Sequence, residues 1–96
     1  MDLELKGKSV LITGSSKGIG LACAHAFAAE GANVRLAARS KDLLAKAASE
    51  IARKYGVKVD THEVDLRAKN AATRLAADAG AIDILVNNAG DIPGGG

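Results

Sequence analysis

The residues best suited to chemistry lie in a glycine-rich stretch near the N-terminus, TGSSKGIG, from Thr13 to Gly20. It falls between a short apolar run and an alanine-rich segment, where a strand would turn into a helix. Glycine permits the positive φ angles of a tight turn and the close approach of a pyrophosphate to the backbone. The N-terminus of the following helix would offer N–H groups and its positive dipole end to phosphates. The stretch therefore predicts a phosphate-binding loop that includes Ser16; the alternative is a tight turn without a ligand.

The spacing of these glycines, G-x-x-x-G-x-G, differs from the G-x-x-x-x-G-K-[ST] loop of nucleoside triphosphatases. ATP hydrolysis therefore has no support in this sequence, and a dinucleotide is the expected ligand.

The end of the second apolar run bears on which dinucleotide binds. A ribose 2′-hydroxyl is usually held by an acidic residue about 20 positions further on, at the end of the next strand. This chain has Arg39 there, followed by Ser40, and no carboxylate. A guanidinium can bind a 2′-phosphate through two hydrogen bonds, and Lys17 in the loop adds a second positive charge. We expect NADP(H) rather than NAD(H), with Lys17, Arg39 and Ser40 in the site; the alternative is that both cations are merely solvated.

Strand-like and helix-like patterns alternate along the chain and must position these residues. Short apolar or alternating runs predict strands over Ser9–Thr13, Asn33–Ala38, Val57–Val64 and Ile82–Asn87. Helical spacing predicts helices over Ile19–Glu30, between the N-cap Ser40 and Gly56, and over Ala68–Ala79.

This β-α-β-α-β-α-β order predicts an α/β fold, a Rossmann-type parallel sheet with helices on both faces. If the chain steps outward twice and then crosses back past the first strand, the strand order is 3-2-1-4, and right-handed crossovers place the first two helices on one face and the third on the other. Ligands of such sheets bind at the carboxyl ends of the strands, beside the point where the strand order reverses. Residues 1–96 are predicted to form the N-terminal part of a single dinucleotide-binding domain, an incomplete doubly wound fold that continues beyond residue 96.

The composition excludes several other classes. The 13 basic and 11 acidic residues leave a net charge of +2, and aromatics make up 2% of the chain, so no nucleic-acid partner is expected. Cys23 is the single cysteine and is predicted to be a packing residue. His25 and His62 have no partners at metal-binding spacing, so no metal is expected. No membrane span or signal peptide is recognisable, which favours a cytoplasmic protein.

The loop motif Thr13-Gly14-x-x-x-Gly18-x-Gly20, together with Asn87-Asn88-Ala89-Gly90, resembles the short-chain dehydrogenase/reductase family of classical type. The likeness runs from Leu5 to Gly90 and implies an extended Rossmann fold and nicotinamide-dependent oxidoreduction. In that family Gly14, Gly18, Ile19 and Gly20 would line the pyrophosphate, Asp65 followed by Leu66 would contact the adenine amino group, and Asn87, Ala89 and Gly90 would contact the ribose and stabilise the sheet. The alternatives are that Asp65 is the N-cap of the third helix, a role that one carboxylate could combine with the ligand contact, and that Asn87-Asn88 is a simple turn.

The family's catalytic set, a Ser with a Tyr-x-x-x-Lys pair, is not found in these residues. Tyr55 is the single tyrosine; Lys58 follows at three residues rather than four, and Tyr55 continues an apolar helix face, which predicts core packing. An apolar fourth strand at a sheet edge is unfavourable, which also suggests that the chain continues past Gly96.

These observations lead to an expectation for the complete protein. It would be an NADP(H)-dependent alcohol dehydrogenase or carbonyl reductase with a small-molecule carbonyl or alcohol substrate, and a homo-oligomer, dimer or tetramer. A non-catalytic NADP(H)-binding sensor or regulator is the alternative. A methyltransferase is disfavoured, because its cofactor ribose usually requires an acid at the end of the second strand.

Overall fold

The computed structural model describes residues 4–88 of the chain. Along these residues the elements are β1 (Ser9–Thr13), α1 (Gly18–Ala29), β2 (Asn33–Ala38), α2 (Lys41–Tyr55), β3 (Val59–Glu63), α3 (Ala71–Ala79) and β4 (Ile84–Asn87).

The strands form a parallel sheet in the order β3-β2-β1-β4, as the sequence predicts. The chain steps outward twice from β1 and then crosses back to its other side. In the register, Val10 of β1 lies opposite Val34 of β2 and Ile84 of β4. This arrangement confirms the Rossmann-type α/β fold and places the carboxyl ends of β1, β2 and β3 along one edge.

Alternate strand residues build two separate cores, one on each face of the sheet. The face covered by α1 and α2 holds the larger core, centred on the fully buried side chains of Val10, Ile12, Val34, Leu36, Leu44 and Ile51. The opposite face is covered by α3 and buries Leu11, Ala37, Leu75 and Ala79. The predicted assignment of helices to faces is therefore confirmed.

Two residues that could have been mistaken for functional groups belong to the larger core. Cys23 and Tyr55 are half-buried and pack against it, as predicted. The Tyr55 hydroxyl lies 2.9 Å from Nδ1 of His25, so that these two side chains join α2 to α1.

The ends of α2 follow the predicted capping signals. The Ser40 hydroxyl accepts a hydrogen bond from the Leu43 N–H at 3.3 Å. At the other end Gly56 adopts the left-handed conformation, with φ +69°, and its N–H donates to the Ala52 carbonyl.

The start of α3 differs from the prediction. The helix begins at Ala71 rather than Ala68, and its N-cap is Asn70, not Asp65. The Asp65 carboxylate instead accepts a hydrogen bond from the Arg67 N–H, and the Ala68 N–H donates to the Asp65 carbonyl in a separate turn. The alternative role of Asp65 as the cap of this helix is therefore wrong.

Two strands and one helix also differ from their predicted bounds. β3 covers Val59–Glu63 instead of 57–64, β4 begins at Ile84 instead of Ile82, and α1 covers Gly18–Ala29 instead of 19–30. Before β4, the Asp83 carboxylate accepts from the Ser9 N–H at 2.8 Å, so a side chain takes the place of a strand carbonyl.

Candidate functional site

A groove of about 650 Å³ lies at the carboxyl ends of β1, β2 and β3. Its size is in the usual range for small-molecule sites, and its position is where ligands bind in open parallel sheets. Three connections build most of its walls, namely the loop after β1, the β2–α2 junction and the segment from Val64 to Arg67, and Asn88 after β4 also lines it.

The loop after β1 contributes Gly14, Ser16, Lys17 and Gly18 to the groove. Gly14 and Gly18 have φ angles of +65° and +62°, which glycine adopts without strain. A Cβ at Gly18 would meet no described atom within 4 Å, so its backbone is open to a ligand on that side.

Gly20, in the first turn of α1, has the opposite surroundings. It is buried, and a Cβ there would collide with the Gly14 carbonyl oxygen and lie 2.7 Å from Nδ2 of Asn88. The helix can pack this closely on the loop because the residue has no side chain.

The N-terminus of α1 is suited to an anion. Lys17 is the N-cap, and its side chain makes no capping hydrogen bond with the described residues. The first turn, Gly18 to Leu21, carries no acidic side chain that would neutralise the positive dipole end. Phosphate groups bind favourably at such a terminus.

Ser15 fastens this loop to the end of β2. Its side chain is fully buried, and its hydroxyl accepts a hydrogen bond from the Ala37 N–H at 3.0 Å. The Gly14 and Ser15 N–H groups both donate to the Ala37 carbonyl, at 2.7 and 3.3 Å. Ala37 precedes Arg39 by two residues, so the loop and the β2 end are held together.

The predicted cations Lys17 and Arg39 line the same groove, from two different connections. Within residues 4–88, neither lies within salt-bridge distance of a carboxylate. Ser40 also lines the groove, next to Arg39, although its hydroxyl accepts from the Leu43 N–H.

The third wall carries Asp65 and Leu66, both predicted, and Arg67, which was not. Arg67 holds Asp65 through both carboxylate oxygens: its Nε lies 3.1 Å from Oδ1 and its Nη2 3.1 Å from Oδ2. The Arg67 N–H also donates to Oδ1 at 2.9 Å. These hydrogen bonds lower the pKa of Asp65 from 3.8 to about 2, with a smaller contribution from the positive charge of Arg39.

The remaining predicted residues lie elsewhere. Ile19 is 73% exposed at the start of α1 and, with Gly20 and Asn87, is not among the groove-lining residues. Asn87 accepts a hydrogen bond from the Thr13 hydroxyl at 3.0 Å, beside the groove. Ala89 and Gly90 lie outside the described residues.

Six groove residues were missed by sequence reasoning: Ala37, Ala38, Leu43, Val64, Arg67 and Asn88. Asn88 stands one position after the predicted Asn87; its N–H donates to the Thr13 hydroxyl at 2.9 Å and its Nδ2 to the Gly14 carbonyl at 3.5 Å. The motif that contains it was a usable signal. Leu43 and Val64 carried none, because an apolar residue beside a helix start or strand end ordinarily indicates core.

The groove has features that suit phosphate groups. It offers an open glycine backbone at Gly18, an uncapped helix N-terminus and two cations without carboxylate partners in the described region. In that same region the structure has no cluster of three or more histidine, cysteine or acidic side chains that could hold a metal ion. No helix between residues 4 and 88 has the length and apolar character needed to cross a membrane.

Comparison with known proteins gives concordant results. A profile of the family described as short chain dehydrogenase matches residues 8–95. A 3-dehydrosphinganine reductase of Arabidopsis thaliana is 42% identical over 88 residues, which are 92% of this chain and 27% of the plant protein. An L-rhamnose 1-dehydrogenase (NADP(+)) of Thermoplasma acidophilum is 42% identical over 95 residues, covering 95% of this chain and 37% of that protein.

Solved structures agree. The crystal structure of L-sorbose reductase from Gluconobacter frateurii, complexed with NADPH and L-sorbose, superposes with a TM-score of 0.81 at 43% identity. The match covers 92% of this chain and 35% of the reductase. The chain thus spans roughly a third of the length of these relatives, the part that contains the groove.

Proposed function

This chain belongs to the short-chain dehydrogenase family, and we propose that it carries the cofactor-binding part of an NADP(H)-dependent oxidoreductase. The complete protein would transfer a hydride between the nicotinamide of the cofactor and the carbonyl carbon of a small-molecule substrate. Reductases and dehydrogenases among its relatives support this reaction class.

The observation that carries the cofactor assignment is the pair of cations on one groove. Lys17 and Arg39 come from separate connections, and no acidic residue stands at the end of β2, where a ribose 2′-hydroxyl would need one. Arginine and lysine are the side chains that bind phosphate most strongly. The sorbose reductase complexed with NADPH supports the same choice.

Each wall of the groove has a distinct role in this proposal. The backbone at Gly14 and Gly18, the N-terminus of α1 and the Ser16 hydroxyl bind the pyrophosphate, with Ile19 and Gly20 in the same turn. Lys17, Arg39 and the Ser40 hydroxyl hold the 2′-phosphate.

The adenine and ribose contacts complete the proposed site. Asp65 accepts a hydrogen bond from the adenine amino group, and the apolar Leu43 and Leu66 flank the base. Asn87, Ala89 and Gly90 are proposed to support the ribose. The nicotinamide donates or accepts the hydride when bound. The catalytic acid/base belongs to another part of the protein, since Tyr55 is committed to core packing.

The test is a fluorescence titration of the full-length protein with NADPH and NADH, repeated with Arg39→Asp. We expect the wild type to bind NADPH at least about tenfold more tightly than NADH. In Arg39→Asp the preference should fall to about unity or reverse, because the new carboxylate repels the 2′-phosphate and can accept from a ribose hydroxyl.

The control is Lys46→Asp, the same kind of charge reversal at an exposed residue of α2 outside the groove. It should leave the NADPH preference unchanged. Equal affinities of the wild type for the two cofactors, or an unchanged preference in Arg39→Asp, would contradict the proposal.

A further inference from the structure

The negatively charged Asp65 lies in the groove that is proposed to bind the negatively charged 2′-phosphate of NADP(H). Asp65 lines the same groove as Lys17 and Arg39. Its charge is coupled to that of Arg39, which contributes to its lowered pKa. A phosphate held by Arg39 would therefore also be repelled by an unpaired Asp65, because both carry negative charge.

Arg67 removes this conflict. Its guanidinium meets both oxygens of Asp65, and its backbone N–H adds a third hydrogen bond. Such a two-oxygen pair is among the stronger and more directional of ion pairs. With Arg67 present, the groove has three cations and one carboxylate; without it, two cations would face one carboxylate.

The pair also leaves the carboxylate able to act on a base. A carboxylate has about four acceptor positions, and Arg67 occupies two on Oδ1 and one on Oδ2. One position on Oδ2 therefore stays available to an amino group. Arg67 can neutralise Asp65 without replacing it as a hydrogen-bond acceptor.

We propose that Arg67 is a specificity-determining positioning residue, which makes the groove compatible with a 2′-phosphate by holding and neutralising Asp65. This inference rests on the proposed function, because it concerns the preference for NADPH over NADH. Arg67 acts through Asp65 and not as a direct phosphate ligand. Nothing in the sequence motif singles it out; the structure does, through the pair.

The experiment compares Kd values for NADPH and NADH in the full-length protein and three groove variants: Arg67→Gln, Arg67→Lys and the double variant Asp65→Asn/Arg67→Gln. Arg74→Gln is the control, because it removes the same charge from an exposed position on α3 outside this groove. Arg67 and Asp65 are 55% and 41% exposed, so these substitutions should not prevent folding, and circular dichroism melting checks this.

In Arg67→Gln we expect the affinity for NADPH to fall about tenfold and that for NADH less than about twofold. The double variant restores the net charge of the groove, so its NADPH/NADH preference should return to within about threefold of the wild type. Arg67→Lys keeps the charge and should retain most of the preference, and Arg74→Gln should retain all of it.

Two results would overturn the inference. Equal losses for NADPH and NADH in Arg67→Gln would indicate a structural role. A double variant as poor as Arg67→Gln would mean that Arg67 contacts the phosphate directly.

An NMR titration of the Asp65 carboxyl group is an independent readout. Its pKa should be about 2 in the wild type and rise towards 3.8 in Arg67→Gln. A wild-type value near 3.8 would show that the pair does not form, which also overturns the inference.

Failure of this inference is distinguishable from failure of the proposed function. If the wild type prefers NADPH and Arg39→Asp abolishes the preference, the proposed function stands whatever Arg67→Gln does. If the wild type shows no preference, the proposed function fails before Arg67 is considered.

Discussion

Ser15 shows how one buried hydroxyl can shape the groove. Ala37 pairs with Thr13 at the last position of the β1–β2 register, and its N–H also donates to the Ser15 hydroxyl at 3.0 Å, in a fully buried position. A buried hydroxyl needs a hydrogen-bond partner, so this contact satisfies the Ser15 side chain and holds the loop to the strand end.

Ser15→Ala should therefore destabilise the protein by about 0.5–1.5 kcal/mol, the net contribution of a hydrogen bond in a buried site. Denaturant unfolding followed by circular dichroism measures the change. The matched control is Ser16→Ala, next in the loop and half-buried, which should change the free energy of unfolding by less than about 0.5 kcal/mol. Equal effects of the two substitutions would show that the Ala37 hydrogen bond adds nothing to stability.

Residue types predicted part of the site and missed the rest for physical reasons. Lys17 and Arg39 were predicted because a 2′-phosphate would require cations at those places, and the structure brings both to the groove. Arg67 was not, since an arginine in a polar connection usually indicates a solvated surface. Its place in the groove depends on the turn in which the Arg67 N–H donates to the Asp65 carboxylate, and the sequence does not distinguish that turn from an N-cap at Asp65.

At the scale of elements, the contact of α1 with the loop depends on Gly20. The helix approaches until the site of a Gly20 side chain overlaps the Gly14 carbonyl. Such close packing brings the helix N-terminus to the groove, where its N–H groups can meet a phosphate. Moving α1 outward would therefore weaken packing and ligand binding together.

Gly20→Ala should lower the free energy of unfolding by about 2–3 kcal/mol through overpacking, and should weaken NADPH binding as well. Gly56→Ala is the control: it strains a left-handed residue at the end of α2, costing about 1 kcal/mol, but its Cβ meets no described atom. We expect it to leave the Kd for NADPH unchanged. If Gly20→Ala bound NADPH with normal affinity, the close packing of α1 on the loop would not be required for ligand binding, contrary to this prediction.

Element types were predictable and several boundaries were not. The alternation of apolar runs and helical spacing predicted the order of elements along the chain, and the right-handed crossover rule predicted which face each helix covers once the strand order β3-β2-β1-β4 is given. α3 starts late because the Asp65 side chain bonds to Arg67 and Asn70 takes a left-handed conformation, φ +64°. Side chains and backbone carbonyls compete for the same N–H groups at such a helix start. Hydrophobic periodicity carries no information about this competition and therefore does not predict the first residue of the helix.

At the scale of the whole molecule, charge is nearly balanced but unevenly placed. The chain has 13 basic and 11 acidic residues, so its overall field is weak. The groove nevertheless gathers Lys17, Arg39 and Arg67 around one carboxylate. Any attraction of a phosphorylated ligand is therefore local to the carboxyl edge of the sheet. Added salt should weaken this attraction, and the change can be measured as a rise in Kd.

NADPH and NADH differ by the 2′-phosphate, so salt should weaken the binding of NADPH more. Raising KCl from about 0.1 M to about 1 M shortens the Debye length from about 10 Å to about 3 Å, and exposed charges then attract the phosphate less. We expect the Kd for NADPH to rise about tenfold and that for NADH about twofold over this range. Arg39→Asp is the comparison variant. In it, the Kd values for NADPH and NADH should change by similar factors when the salt concentration is raised. Parallel salt dependence in the wild type would mean that these cations do not hold the 2′-phosphate, since an interaction between exposed opposite charges cannot escape screening.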